Sequence, residues 1–154
     1  MRHLNIILNT VAGIAIISGI SSCIGEAAVP EFMSGLEVTG KVYDYDLPDA
    51  PGVKDVMVVL SSYETEDKGF KFPIDRDTAY SDASGFFRIK AVAMSGGWVF
   101  RLSAADAVKE RPGGQYRPAP AFDPVLHIEF NRNTFDEDTG VYRMGNIAVP
   151  VTRE

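Results

Sequence analysis

The chain reads as all-β, a single seven-stranded β-sandwich, and three features of the sequence predict it. Short apolar runs with two-residue alternation recur from Leu36 to Val151. Clusters of glycine, proline and aspartate punctuate them at short spacing. No stretch carries apolar residues at helical spacing over enough turns for an amphipathic helix. Each strand can bury one face only against another layer, so seven of them imply two stacked sheets.

Ahead of these runs, residues 1–22 have the make-up of an export signal. Arg2 supplies a minimal positive region, and Ile6 to Ile20 is apolar apart from Asn9, Thr10, Gly13, Ser18 and Gly19. The run Ile20-Ser21-Ser22-Cys23 resembles the lipobox of bacterial lipoproteins. That resemblance implies cleavage before Cys23, diacylation of its sulfur and acylation of the new N-terminus. Three chains exceed the two needed for stable anchoring. Cys23 is therefore the expected lipidation site, and neither a nucleophile nor a redox thiol. An ordinary cleaved signal and an uncleaved anchor are the alternatives, although a full span needs about 20 apolar residues. Residues 23–34 are mostly small, acidic or proline and read as a flexible tether, which leaves 35–154 as the folded domain.

Leu36, Val38, Gly40 and Val42 alternate with Glu37, Thr39, Lys41 and Tyr43 as a first strand. Asp44 to Lys54 is a loop rich in Asp and Pro. Val56 to Ser61 is a second strand, whose Met57 and Val59 make the other face apolar too, as expected for an interior strand. A charged connection from Glu64 to Arg76 leads into a hairpin over Thr78 to Ala91. Its turn is Asp82-Ala83-Ser84-Gly85, and Phe87, Ile89 and Ala91 form its buried face. After a turn at Ser95-Gly96-Gly97, Trp98, Phe100 and Leu102 alternate with Val99, Arg101 and Ser103. Ala104 to Phe122, with three prolines and two glycines, is expected to be loop. Leu126, Ile128 and Phe130 oppose His127 and Glu129 in a short strand, and Asn131 to Gly140 is an acidic turn. Tyr142 to Val151 closes the domain, with Gly145 a candidate bulge and Pro150 a mark of an edge or strand end.

Composition narrows the function. The 154 residues carry 45% hydrophobic and 23% charged residues, the balance of a globular protein, with a formal charge of −6. A mature chain near 130 residues buries roughly two-thirds of its unfolded surface, enough for one core. Basic residues are scattered singly, so no nucleic acid is expected as a partner. With Cys23 the sole cysteine, neither an intramolecular disulfide nor a cysteine-based zinc site can form.

The ordered set Val38-Thr39-Gly40-Lys41-Val42, Pro51-Gly52-Val53-Lys54-Asp55-Val56-Met57-Val58-Val59-Leu60 and Asp82-Ala83-Ser84-Gly85-Phe86-Phe87-Arg88-Ile89 resembles the carboxypeptidase regulatory-like (transthyretin-like) domain. The resemblance covers about Leu36 to Leu102. It implies a prealbumin-like sandwich, related to the immunoglobulin arrangement, without catalytic residues of its own. Lipobox, domain and the Gly113-Gly114 loop together resemble a family of short bacterial lipoproteins encoded beside radical-SAM enzymes.

Residues that could carry chemistry are few. His127 is isolated, short of a triad or an imidazole-ligated metal. Asp44, Asp46, Asp49 and Asp55 crowd one loop, where oxygen ligands could hold calcium, and Asp136, Glu137 and Asp138 form a second cluster; neither has EF-hand spacing. No metal and no other cofactor is expected. Nothing singles out a glycosidase pair among so many acids. Tyr142-Arg143-Met144-Gly145 is similar to the Tyr-Arg-Gly-Ser tail of transthyretin-related hydrolases, but the histidines those enzymes need are missing. Lys41 and Asn146 lie on the first and last strands, as an isopeptide pair would, with Lys41 on a polar face. Trp98, Tyr63, Tyr80, Phe86 and Tyr116 could line a binding surface, yet most suit the core, Phe86 excepted.

The expected function is a non-catalytic, membrane-anchored lipoprotein that binds or scaffolds another component of the bacterial cell envelope, protein or glycan. Its location is the periplasmic or outer-membrane face. A substrate or accessory of a radical-SAM maturation or export system is the alternative reading, and a hydrolase with an acidic site a third.

Overall fold

The computed structural model describes residues 33–65, 69–94 and 98–154. Cys23, residues 1–22 and the tether up to residue 32 lie outside the described residues, as does the turn at 95–97. Among the described residues there are nine strands and no helix. They are β1 (Met33–Asp44), β2 (Val56–Glu64), β3 (Asp75–Tyr80), β4 (Phe86–Met94), β5 (Trp98–Asp106), β6 (Tyr116–Pro118), β7 (Val125–Leu126), β8 (Phe135–Asp136) and β9 (Val141–Arg153). One sheet runs β4-β1-β9-β6 with β8 also on β9, and the other runs β3-β2-β5-β7. Every pairing is antiparallel except β1 with β9.

The two-residue alternation decides which faces meet. Leu36, Val38 and Val42 of β1, Phe87 and Ile89 of β4, and Val149 and Val151 of β9 form one inner face. Val56, Val58 and Leu60 of β2 and Phe100, Leu102 and Ala104 of β5 form the other. Removing each such Val, Leu, Ile or Phe side chain from water contributes about 1.5–3 kcal/mol. Met57 and Val59, on the outer face of β2, are half-buried, and β2 is interior to its sheet as its two-sided pattern predicts.

The principal correction concerns Thr78 to Ala91. Its two strands do not pair with each other: β3 bonds to β2 and β4 to β1, in different sheets. Asp82 to Gly85 is a corner that carries the chain across the sandwich. Asp82 Oδ1 accepts from the Ser84 N–H, the Ser84 hydroxyl and the Phe86 N–H, at 2.8, 2.7 and 3.0 Å. A hairpin and a corner share this turn chemistry, and only the partners of the flanking strands tell them apart. The Val42 N–H donates to the Gly85 carbonyl at 2.8 Å, docking the corner on β1. Gly85 has φ +81°, and a Cβ there would lie 2.2 Å from the Val42 oxygen, so no other residue fits.

Ser81 fastens the corner to the start of β2. Its hydroxyl accepts from the Val56 N–H at 2.9 Å and donates to the Val53 carbonyl at 2.7 Å, with the residue 2% exposed. Ser81→Ala strands a buried N–H and a buried carbonyl, and is expected to lower unfolding free energy by about 1–3 kcal/mol in a urea titration.

Other differences follow from long-range pairing. Met33 and Ser34, placed in the tether by composition, extend β1 because Met94 and Ala93 pair with them. Ala104 to Asp106 continue β5 opposite β2, and Tyr116 to Pro118 form β6 against β9 inside the expected loop. Of the Leu126 to Phe130 run only Leu126 is strand, paired together with Val125 before it. Pro150 lies within β9, not at an edge. Its carbonyl accepts from the Ala119 N–H at 2.9 Å, so its missing donor falls beside the end of the short strand β6, where it costs little.

Candidate functional site

The parallel pairing of β1 with β9 slips between Val38 and Gly40, where Val38 faces Met144 but Gly40 faces Ile147. The extra residue sits at Gly145-Asn146, the bulge expected at Gly145, and Asn146 takes φ +61°. Gly40 permits the close approach: a Cβ there would stand 2.2 Å from the Ile147 oxygen and 2.7 Å from the Phe87 ring. On the outer face of the sheet, the bulge opens a groove of about 440 Å³. Thr39, Lys41 and Tyr43 of β1 form its base beside Ile147 and Ala148. Phe86, 41% exposed at the start of β4, makes one wall; Asn146 and Ala50, the latter with φ +41°, complete it. Among the described residues, Lys41 is the one charged side chain lining this largely apolar groove, which has a size suited to a small ligand.

Sequence reasoning singled out Phe86, Lys41, Asn146 and Gly145 for separate reasons, and the fold brings them to one place. It missed Tyr43, Ile147 and Ala50 as partners. The signal that marks the place is the glycine pair, Gly40 and Gly145, on adjacent strands. Among the described residues, no carboxylate lines the groove beside Lys41 and Asn146, and the register puts Lys41 opposite Ala148.

The acidic loop is dispersed instead of converging. Asp44 is 2% exposed and accepts from the Tyr116 hydroxyl at 2.8 Å, with Arg153 Nε 3.6 Å from its carboxylate. Asp46 accepts from the Thr152 hydroxyl, Asp49 is exposed, and Asp55 faces Lys54 at 3.6 Å. In the second cluster, Asp136 Oδ1 takes the Asp138 and Thr139 N–H groups, and Arg143 lies 2.5 Å from Oδ2. Among the described residues no three His, Cys, Asp or Glu side chains converge as a metal would require. His127 is exposed on the polar side of its run.

Tyr116 is the hub of this end of the sandwich. Arg153 Nε donates to its hydroxyl at 2.9 Å, and the guanidinium carbons of Arg111 and Arg153 lie 5.3 and 5.0 Å from its ring centre. Burial and the bond to Asp44 push its pKa up, against the opposing pull of Arg153, so the phenol stays protonated. The other aromatic candidates part company: Tyr63 is buried, Trp98 half-buried and Tyr80 60% exposed. Tyr142 of the Tyr-Arg-Met-Gly run packs edge-on to Phe130 at 5.1 Å, and Met144 packs against the core.

Three aspartates make stability acid-sensitive. For Asp106, burial opposes ionisation, but Arg111 Nε at 2.6 Å and the Tyr116 and Val108 N–H groups outweigh it and lower the pKa. The bonds from Ser84 lower that of Asp82, and for Asp136 bonds from Thr139 and Asp138 overcome burial. All three bind protons more weakly folded than unfolded. Their contribution is therefore complete above the ordinary value of 3.8 and lost as pH falls through the lowered folded values. Unfolding midpoints in urea are expected to hold from pH 7 to about 5 and to drop steeply below pH 4. Asp77 works in the opposite sense: burial, then Asp75, raises its pKa, so ionisation there disfavours folding and Asp77→Asn is expected to raise the midpoint at pH 7.

Comparison with known proteins finds no family model that matches this chain, and no curated protein that matches it.

Proposed function

We propose that the protein is a non-catalytic lipoprotein, acylated at Cys23, whose β-sandwich binds or scaffolds another component of the bacterial cell envelope. The observation that carries the reading is the groove beside the β1–β9 bulge. Its largely apolar lining, the exposed ring of Phe86 and the amide of Asn146 suit contact with a partner, and its single charge among the described residues supplies no acid–base pair. A carboxypeptidase regulatory-like domain is part of the proposal. The motifs behind that resemblance are what support it; they lie on β1, in the run leading into and along β2, and on the corner that opens β4.

The test has two arms. Cys23→Ala is expected to abolish lipid labelling and to move the protein from the membrane to the soluble fraction; unchanged partitioning sinks the anchor. A photo-crosslinking residue at Ala148 is expected to form an envelope adduct that Phe86→Asp removes. A crosslinker at Met57, on the opposite sheet, should leave no such adduct. Identical adducts from both faces, or none from Ala148, sink the groove as the binding site.

A further inference from the structure

A second cleft, on the outer face of the other sheet, carries the chemistry that the groove lacks. Phe100, Leu102 and Ala104 point into the core, so Arg101 and Ser103 of β5 project outward. The register sets Arg101 opposite Ser61 of β2, whose neighbour on the far side is the exposed Arg76 of β3. Pro118, at the end of β6, and Phe122 in the loop that follows wall off this row and leave a cleft of about 280 Å³ lined also by Ser61, Tyr63, Arg101 and Ser103.

Among the described residues, Arg101 has no counter-charge there. Its guanidinium carbon lies 4.5 Å from the centre of the Phe70 ring, and Phe70 packs edge-on to Tyr63 at 5.3 Å. Its Nε is buried with no hydrogen-bond partner among the described residues. Among those residues, no carboxylate lines the cleft and neither Arg101 nor Arg76 forms an ion pair. Among the described residues no other buried cationic donor lacks a partner; Arg111, for one, is held by Asp106. A buried donor on a charged group left unpaired is costly, and a planar guanidinium fork stacked on an aromatic ring is preorganised for a bidentate acceptor.

We propose that this cleft binds a small hydroxylated carboxylate, with Arg101 as its receptor. The carboxylate lies against the guanidinium, where Phe70 fixes the plane of the fork. The hydroxyls of Ser61, Ser103 and Tyr63 serve the ligand's own hydroxyls, and Phe122 and Pro118 cover its apolar edge. The volume, just under the usual range for drug-sized ligands, admits one sugar acid or hydroxy acid. The site is independent of the groove and of the anchor.

The test uses the full-length, ¹⁵N-labelled protein in detergent, following the Arg101 Nε–Hε signal, with galacturonate as probe and galactose as its neutral counterpart. Galacturonate is expected to shift that signal saturably while galactose does not. Arg101→Lys, which keeps the charge but loses the fork, is expected to weaken binding roughly tenfold to a hundredfold, as loss of a charge-assisted pair implies. Ser103→Asp places a carboxylate beside Arg101 within the chain, and is expected to reproduce the bound-state shift and abolish the response to the probe. Equal responses to galactose and galacturonate, or binding undiminished in both variants, overturn the proposal. A stronger response to inorganic phosphate than to galacturonate overturns the assignment to a carboxylate.

Discussion

Phe87→Ala is expected to lower unfolding free energy by about 3–5 kcal/mol, the upper range for core truncations. Phe87 is 1% exposed, and its ring stands where a side chain on Gly40 would otherwise go. The gap cannot close readily, because the β1 backbone is held on one side by β4 and on the other by β9. Domains of this size hold only about 5–15 kcal/mol in all, so this single loss takes a large share. The neighbouring Phe86→Ala removes the same ring from a position 41% exposed, and is expected to stay within about 0.5 kcal/mol. A urea titration of both variants checks the contrast: a shifted midpoint at constant slope for Phe87, little movement for Phe86. Equal losses would mean that the inner and outer faces of β4 are exchanged.

Asp44→Ala is expected to cost about 2–4 kcal/mol. Breaking a fully buried pair costs about 3–5 kcal/mol, and leaving a neutral buried donor unpaired about 1–3. Asp44 lies between these cases, because Tyr116 is buried with it whereas Arg153 is 44% exposed and keeps water. Tyr116→Phe removes the other half of the closest contact. The two losses are expected not to add, with a coupling of about 0.5–3 kcal/mol in a double-mutant cycle. Asp49→Ala, in the same acidic loop but exposed, serves as the control and should be near neutral. If Asp49 proves as costly as Asp44, the loop acts as one acidic unit and the assignment of Asp44 to Tyr116 is wrong.

The groove was half legible. Phe86 stood out because alternation turns it away from Phe87, and Gly145 stood out as a break in a strand pattern. Tyr43 and Ile147 gave no such sign, since each is an ordinary strand residue until a parallel partner is set beside it with a one-residue slip. The acidic loop shows the reverse. Four aspartates look like one oxygen-rich site, but Asp44 is drawn inward by a tyrosine 72 residues away, Asp46 turns to Thr152 of β9, and Asp55 faces its neighbour Lys54.

From its sequence alone the chain determined the class of fold and the faces of its strands. A period of two residues is a property of the extended backbone, so Leu36, Val38, Val42, Phe87, Ile89, Phe100 and Leu102 declared themselves core without knowledge of their neighbours. Tertiary structure alone decided which strands meet. The Asp82 to Gly85 turn serves a hairpin or a corner equally well, and the choice fell to the edges that β1 and β2 offered to β4 and β3. Pairing of distant strands is a contest among hydrogen-bonding edges and packed faces, and it leaves no local imprint on the residues that take part.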